Sequence, residues 1–286
     1  MGDAHTQPAG HAEIGTARDA AAAFHDRVRA SLADARLREA LRVTTGRLAC
    51  CRAQAFSTLP DADAVRDRAR SIRARTIAHL DRYLAQFADE ATARGCTVHW
   101  AETAADAART VVEIARAEGI SLAVKSKSMV SEEIELNAAL EAAGVTVVET
   151  DLGEWVVQVA GDRPSHIITP IIHWRCEDVA RLFREKLCAA EHEVRDAAAI
   201  TSFARRTLRE RFLRAGMGIS GVNVAVAETG SLCIVTNEGN GRLTTSAPRV
   251  HVALLGLERL VPTAAYLGVL LQVLARSATG QALSVY

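Results

Sequence analysis

Two glutamates border a predicted hairpin in the last third of the chain. The stretch AVAETGSLCIVTNEGNGRL predicts a strand over 222–227, a tight Thr-Gly turn and a second strand over 231–236. Glu228 therefore stands before the second strand, and Glu238 stands just after it. Carboxylates that are half-buried at strand ends have raised pKa values and suit acid–base or nucleophilic chemistry. We take Glu228 and Glu238 as the candidate catalytic residues.

The polar loop over 237–242 carries groups that can hold a small anion. Two glycines, Gly239 and Gly241, would let a ligand approach the backbone, and the guanidinium of Arg242 could pair with a carboxylate through two parallel hydrogen bonds. A hairpin with an Asn-Gly turn explains the glycines equally well, but it does not explain the whole set. The candidate substrate-binding residues of this hairpin and loop are Thr229, Asn237, Asn240 and Arg242.

A Lys-Ser-Lys-Ser turn joins a predicted strand to a predicted helix within AVKSKSMVSEEIELNAALEAAG, residues 123–144. In an open α/β sheet this is the usual place for a ligand, and lysines, hydroxyls and helix N–H groups can hold a carboxylate or a phosphate. Against this, Glu132 and Glu133 lie in the first helical turn and would repel an anion. Solvated lysines with Ser131 as the helix N-cap are the alternative, and both interpretations stay open. The candidates here are Lys125, Lys127 and Ser128.

Acidic and histidine side chains accompany two further apolar runs. The segment VETDLGEW places Glu149, Asp151 and Glu154 at or beyond the end of a predicted parallel strand. A carboxylate there can act as a base, bind a cation or simply shape the turn. His166 and His173 lie at opposite ends of one apolar run, more than about 20 Å apart along a strand, so they cannot share a metal ion. Glu149 and His173 join the candidate substrate-binding residues, with a structural role for His173 as the alternative.

The totals exclude several classes of protein. The 286 residues hold 34 Lys+Arg and 34 Asp+Glu, so no net charge directs the chain to nucleic acid. No apolar stretch reaches the roughly 20 residues that span a bilayer, and no signal peptide is visible, so we predict a cytoplasmic protein without a membrane span. The six cysteines contain no CxxC pair and predict buried thiols, with no metal site. The arginine-rich segment 203–216 favours a solvated helix face over a partner surface.

The order of the predicted strands and helices along the chain indicates an α/β fold. We predict a disordered N-terminus over residues 1–15 and a helical N-terminal arm over 16–94. From 95 to 286, strands at 97–101, 120–126 and 145–150 alternate with helices at 103–118 and 131–143, which predicts a mostly parallel sheet flanked by helices. The apolar runs 155–160 and 166–172 add two strand candidates, and helices at 176–190, 199–216 and 264–276 accompany a strand-rich segment at 219–257.

Several ordered blocks resemble the lactate utilization (LUD) domain family, most closely its large-subunit, B-type branch. The blocks are KSKSMVSEEIELNAALEAAGVTVVETDLGEW, RPSHIITPIIH, GVNVAVAETGSLCIVTNEGNGRLTTSAPRVHVALLGLERLVPT and RSATGQ, and the likeness runs from about Leu59 to the C-terminus. The resemblance implies a fold like that of the NagB/RpiA/CoA-transferase group, a LUD-type domain over 95–286 and a role in oxidising L-lactate to pyruvate within a three-protein complex.

The resemblance also implies cofactors and partners. Longer members continue past RSATGQ into a domain with two cysteine-rich ferredoxin-type motifs, which this chain lacks. We therefore expect no cofactor in this chain, and 4Fe-4S clusters only in a longer form or a partner. The implied partners are other lactate utilization subunits and a small carboxylate such as L-lactate or pyruvate.

Two other functions remain open at this point. One is a non-catalytic assembly module that uses the helical arm and the arginine-rich helix for protein contacts. The other is a stand-alone enzyme of the related fold. An acyl transferase would use Glu228 or Glu238 as acyl acceptor, and a sugar-phosphate isomerase would use Lys125 or Lys127 with Glu149.

Overall fold

The computed structural model describes residues 17–162, 170–236 and 238–282, with side chains from Phe24 onward. The predicted disordered N-terminus, His166 and the candidate Asn237 lie outside this part of the chain.

The described segments form twelve α-helices, seven strands and two short 3-10 turns at Glu191–Glu193 and Leu257–Arg259. The helices are α1 (Ala17–Ala33), α2 (Ala35–Ser57), α3 (Ala62–Ala78), α4 (Leu80–Ala93), α5 (Ala104–Ala117), α6 (Met129–Glu133), α7 (Leu136–Ala142), α8 (Leu152–Ala160), α9 (Cys176–Leu187), α10 (Ala197–Arg214), α11 (Asn240–Ser246) and α12 (Ala264–Thr279). The strands are β1 (Leu122–Lys125), β2 (Thr146–Glu149), β3 (Met217–Gly221), β4 (Val224–Val226), β5 (Ser231–Cys233), β6 (Val250–Leu254) and β7 (Leu260–Val261).

A four-stranded parallel sheet organises the fold, with strand order β2-β1-β3-β6. The strands β1 and β2 are short, and the two central residues of each are apolar and buried, as expected for parallel strands that are covered on both faces. Alternate residues serve the two faces: Val124 and Val148 pack with α8, α9 and α10, whereas Ala123 and Val147 pack with α5 and α7. The predicted α/β fold with a mostly parallel sheet and flanking helices is confirmed. The narrower NagB/RpiA/CoA-transferase-like assignment stays a prediction.

A second, three-stranded sheet has the order β5-β4-β7 and packs against helices of the N-terminal arm. Ile72 of α3 shares one apolar cluster with Val226 of β4, and Phe87 of α4 shares another with Leu260 of β7. The helix α12 covers the same sheet through Val269. The helices α3 and α4 thus form part of a core that includes later strands, and the predicted domain boundary at residue 95 stays a prediction.

Two predicted strands are wrong. The segment 97–101 forms no strand, since Val98 packs partly on the core while Trp100 is 58% exposed. The run 155–160 belongs to helix α8, because Asp151 caps its first turn by accepting a hydrogen bond from Gly153 N at 3.0 Å. The helix buries Trp155 and Val156 against the sheet.

Two smaller elements also differ from the prediction. The single helix predicted at 131–143 is broken into α6 and α7 at Glu135, which has a left-handed backbone with φ of 51°. The predicted loop at 237–242 turns into helix α11 at Asn240. Helix α11 lies directly on β3, since a Cβ at Gly218 would come within 1.8 Å of the Thr244 carbonyl oxygen.

Candidate functional site

The carboxyl ends of the parallel strands place Lys125 and Glu149 side by side at one edge of the sheet. These two residues are the last of β1 and β2 and are direct partners in the register. Lys125 Nζ lies 2.8 Å from Glu149 Oε1, 2.7 Å from Glu132 Oε1 and 2.9 Å from Ser131 Oγ, so three acceptors take its three hydrogens. Burial opposes the charge of Lys125, but the charges of Glu149 and Glu132 outweigh it and hold its pKa above the usual value. Lys125 is 1% exposed and forms the hub of a buried ion-pair network.

Glu149 is the second member of this network and is also buried. Its Oε1 accepts a further hydrogen bond from Asn137 Nδ2 at 2.8 Å. Within the described residues, Glu149 Oε2 and Asn137 Oδ1 are buried without a hydrogen-bond partner. The network therefore lies beneath the rim of the sheet, where it supports the 125–128 turn.

A second group of charged residues lies above this network, nearer to solvent. The Lys127 ammonium contacts Glu154 Oε1, with the two side chains 30% and 12% exposed. The Asp151 carboxyl lies within hydrogen-bond reach of Glu154, and Glu238 faces both Asp151 and Lys127. The loops after β1, β2 and β5 thus bring one lysine and three carboxyl groups together. We call Lys127, Asp151, Glu154 and Glu238 the rim cluster.

Two members of the rim cluster have pKa values that are raised to near neutral pH. Burial raises the pKa of Glu154 to about 8; the hydrogen bond and charge of Asp151 act in the same direction, and Lys127 opposes them. Partial burial of its carboxyl group and the charge of Asp151 also raise the pKa of Glu238 to about 7, although the residue as a whole is exposed. Groups with pKa values near 7 can both give and take a proton at neutral pH. The rim cluster can therefore do acid–base chemistry beside a cation.

A row of buried hydroxyl groups continues along the sheet edge under α11. Thr150 Oγ1 donates to the Lys125 carbonyl at 2.9 Å and lies 3.5 Å from Thr244 Oγ1. Ser220 Oγ is 2.8 Å from His251 Nε2, and burial lowers the pKa of this histidine, which favours its neutral form. Ser220 is 0% exposed whereas His251 is exposed, so this pair joins β3 to β6 between the interior and the surface.

The two glutamates of the predicted hairpin have different surroundings. Glu228 lies at the turn of the second sheet, where its Oε1 accepts a hydrogen bond from Ala264 N at 2.7 Å and so caps the start of α12. Thr229 Oγ1 donates to Ser231 Oγ at 2.9 Å in the same turn. Glu238 instead joins the rim cluster of the first sheet. The structure thus brings Glu238 together with Lys127 and gives Glu228 and Thr229 other neighbours.

The remaining sequence-predicted residues occupy several environments. Ser128 caps α6 by accepting from Ser131 N at 3.2 Å. Asn240 is 9% exposed, and its Oδ1 accepts from Gly241 N at 2.8 Å, while Arg242 is exposed on α11. His173 Nε2 accepts from Trp174 Nε1 at 2.8 Å and lies 3.3 Å from Asp162 Oδ2. Every assignment of a catalytic or binding role to these residues stays a prediction.

Sequence reasoning missed the importance of Asp151 and Glu154. Both were visible as acidic residues after an apolar run, but only Glu149 was retained from that run. The available signal was their position just beyond the carboxyl end of a parallel strand. The Ser220–His251 pair offered no local signal, because 31 residues separate its members.

The cysteines do not assemble into a metal site in the described part of the chain. All six are free thiols, but the prediction that they are buried is wrong, since Cys50, Cys96, Cys176 and Cys188 are exposed and the other two are partly exposed. No three His, Cys, Asp or Glu side chains converge there in a way that could hold a metal ion. An iron–sulfur cluster therefore finds no fitting ligand set among these residues. None of the helices that the structure describes is long and apolar enough to cross a membrane.

Comparison with known proteins identifies the family. The LUD domain family matches residues 84–286. Lactate utilization protein B of Bacillus pumilus (strain SAFR-032) is 44% identical over 267 residues, which cover 93% of this chain and 56% of that protein. An uncharacterized electron transport protein of Escherichia coli (strain K12) is 42% identical over 263 residues, and lactate utilization protein B 2 of Bacillus mycoides (strain KBAB4) is 43% identical over 263 residues. Each of these two alignments covers 92% of this chain and 55% of the relative.

The chain thus spans about half the length of the curated relatives it matches. No solved structure matches it. Because the family match extends over most of the sequence and agrees with the resemblance seen in its motifs, the chain belongs to the LUD domain family.

Proposed function

We propose that this chain is a lactate-utilization module that binds a small α-hydroxy or α-keto carboxylate, such as L-lactate or pyruvate, at the rim cluster. Support for the pathway comes from 44% identity to a protein named for lactate utilization. The observation that carries the site is Lys127, whose side chain is 30% exposed at the carboxyl edge of a parallel sheet. A single accessible cation beside proton-carrying acids suits a ligand with one carboxylate and one neighbouring oxygen.

In this proposal the chain's own residues bind the ligand and handle its protons. Lys127 pairs with the ligand carboxylate, and the hydroxyl or carbonyl oxygen faces Glu154 or Glu238, whose pKa values lie near neutrality. Oxidation of L-lactate to pyruvate removes two electrons and two protons. We assign the electrons to 4Fe-4S clusters of a longer form or a partner lactate utilization subunit, within an L-lactate dehydrogenase complex. The cytoplasmic location predicted from the sequence is part of the same proposal.

Calorimetric titration of the purified chain tests the ligand class. We expect saturable binding of L-lactate or pyruvate and much weaker binding of acetate, which lacks the second oxygen. Replacing Lys127 by Met removes one charge-assisted contact worth about 1.5–3 kcal/mol, so affinity should fall roughly 10- to 100-fold. The matched control is Lys186→Met, an exposed lysine on α9, which should leave affinity unchanged. Equal affinity in Lys127→Met and wild type would remove the site from the rim cluster.

A second candidate function, an assembly module, has its own structural support. The outer face of α10 carries Arg205, Arg209 and Leu213, the last being 71% exposed, while its inner face is buried. Arginine with an exposed apolar residue is a composition enriched in protein interfaces. Copurification with other lactate utilization subunits that is lost in Arg209→Glu, together with no binding of L-lactate, pyruvate, coenzyme A or ribose 5-phosphate, would favour this function.

A further inference from the structure

The Glu154 carboxyl group lies between the Lys127 ammonium and the Asp151 carboxyl. Glu154 Oε1 contacts Lys127, while Glu154 Oε2 is buried and receives no N–H or O–H hydrogen within the described residues. The group within hydrogen-bond reach is another carboxyl, that of Asp151, whose Oδ1 already accepts from Gly153 N. Two carboxyl groups in such contact repel each other when both are ionised, and burial acts in the same direction, so the protonated form of Glu154 is favoured at neutral pH.

The protonation state of Glu154 determines whether Lys127 is available to bind an anion. When the pair is fully ionised, Glu154 holds the Lys127 ammonium as a salt bridge and blocks it. When the pair carries its proton, Glu154 is a weak partner, and the ammonium can turn to a stronger anion. The ligand carboxylate and the ionised Glu154 therefore compete for one cation.

We propose that Glu154 is a specificity-determining residue of the rim cluster: through a proton that it holds beside Asp151, it releases Lys127 to a monocarboxylate, so that ligand and proton bind together. The inference rests on the proposed function and goes beyond it, because it explains which anions fit. Among the four residues of the rim cluster that the structure describes, Lys127 carries the one positive charge and faces the Asp151–Glu154 pair and the Glu238 carboxyl, so the cluster itself has no spare positive charge for a dianion. It should accept pyruvate or lactate and reject a sugar phosphate.

The charged groups that act on Glu154 come from two loops, and the rest of helix α8 adds none. They are Asp151 from its own turn and Lys127 from the loop after β1, and Glu238 from the loop after β5 in turn faces Asp151 and Lys127. On its other side α8 packs on β2 and α9 through apolar residues such as Trp155 and Phe183. The pKa of about 8 for Glu154 agrees with a proton held beside Asp151 at neutral pH.

Calorimetry from pH 6 to pH 9, in two buffers of different ionisation enthalpy, tests the coupling. For wild type with pyruvate, we expect uptake of up to one proton above pH 8 and a roughly tenfold loss of affinity for each further pH unit. Glu154→Gln is neutral at every pH, so its affinity should be nearly the same at pH 9 as at pH 8 and its proton uptake small. Glu133→Gln, an exposed glutamate on α6, is the matched control and should behave as wild type.

A ligand-free measurement keeps this proposal distinct from the proposed function. In carbon-13 spectra of carboxyl-labelled chain, a resonance that is missing in Glu154→Gln should titrate near pH 8. A midpoint near 4.5, or wild-type affinity that stays constant to pH 9, would overturn the role of Glu154 while leaving the ligand site intact. Absence of pyruvate and lactate binding at every pH would instead overturn the ligand site, and this proposal with it.

Discussion

At the level of single residues, Lys125 and Lys127 are only two positions apart but have different environments. Lys125 is buried and stabilises the turn, whereas Lys127 is accessible to solvent. Lys125 ends a buried strand, and its three hydrogens go to Ser131, Glu132 and Glu149. Lys127 has left the strand and reaches the rim, where its side chain is 30% exposed. The sequence motif treats the two lysines alike. Their burial separates them: Lys125 holds the turn, whereas Lys127 is accessible and is the lysine that we propose binds the ligand.

Removing the charge of Lys125 should destabilise the whole chain. In Lys125→Met the Glu149 carboxylate, 5% exposed, loses its cation, and breaking a buried pair in this way costs about 3–5 kcal/mol. We expect that loss in the free energy of unfolding measured by urea denaturation. The double variant Lys125→Met/Glu149→Leu should regain most of it, because no buried charge is left unpaired. A single variant within about 1 kcal/mol of wild type would contradict the structural role.

At the level of secondary-structure elements, a side chain of helix α8 makes the hydrogen bonds that a neighbouring strand would otherwise make to β2. Within the residues that the structure describes, the strand β2 lies at the edge of the sheet, and no strand pairs with its outer backbone groups. Gln158 of α8 takes that place: its Oε1 accepts from Glu149 N at 3.0 Å, and its Nε2 donates to the Val147 carbonyl at 2.8 Å. The same contact fixes α8, and with it Asp151 and Glu154, against the end of β2.

Replacing Gln158 by Leu should therefore loosen both the edge strand and the rim cluster. Two backbone groups would lose their partners, at about 1–3 kcal/mol for each group that stays buried. We expect faster amide hydrogen exchange at Glu149 and a lower Tm. Gln272→Leu, on the exposed face of α12, is the matched control and should change Tm little, since its side chain bonds only within its own helix. Unchanged exchange at Glu149 would show that the contact is dispensable.

At the scale of the whole molecule, charge is balanced in total but concentrated locally. The formal net charge is zero, with a sequence pI near 7.1. Within this balance the first sheet gathers its ionisable groups at one edge, in a buried network and a rim cluster. The arginines of α10, by contrast, are exposed on its outer face and are not part of this cluster. The pH dependence of the protein should therefore arise from a few residues at the sheet edge, not from its net charge.

The rim cluster should make stability fall as the pH rises. The pKa of Glu154 in the folded chain is about 8, against 4.5 for an ordinary glutamate, so the folded state binds more protons than the unfolded state between about pH 4.5 and pH 8. The free energy of unfolding then decreases with pH across that window. Glu154→Gln carries no such group, so its Tm relative to wild type should increase from pH 5 to pH 8 and level off above pH 8. A constant Tm difference across this range would contradict a raised pKa.

How far the sequence alone leads can be judged from particular elements. Apolar strands that alternate with amphipathic helices are local patterns, so β1, β2, α5 and the parallel sheet were predictable. The run 155–160 misled, because an apolar segment of this length suits a buried strand or a buried helix equally, and a cap at Asp151 decides between them. The break at Glu135 likewise depends on packing of two short helices, which periodicity does not show.

The α/β class, the resemblance to the LUD domain family and the loops in which polar residues gather could be predicted from the sequence, because these depend on residue order and short-range periodicity. The contacts between polar residues could not, because they depend on the tertiary structure. It joined Lys127 to Glu154 across 27 residues and put Glu238 beside them, while Glu228 went to the cap of α12. The physical reason is that strand order brings the ends of β1 and β2 to one edge, and burial there sets the charge and protonation of each group. Neither quantity is encoded in any one stretch of the chain.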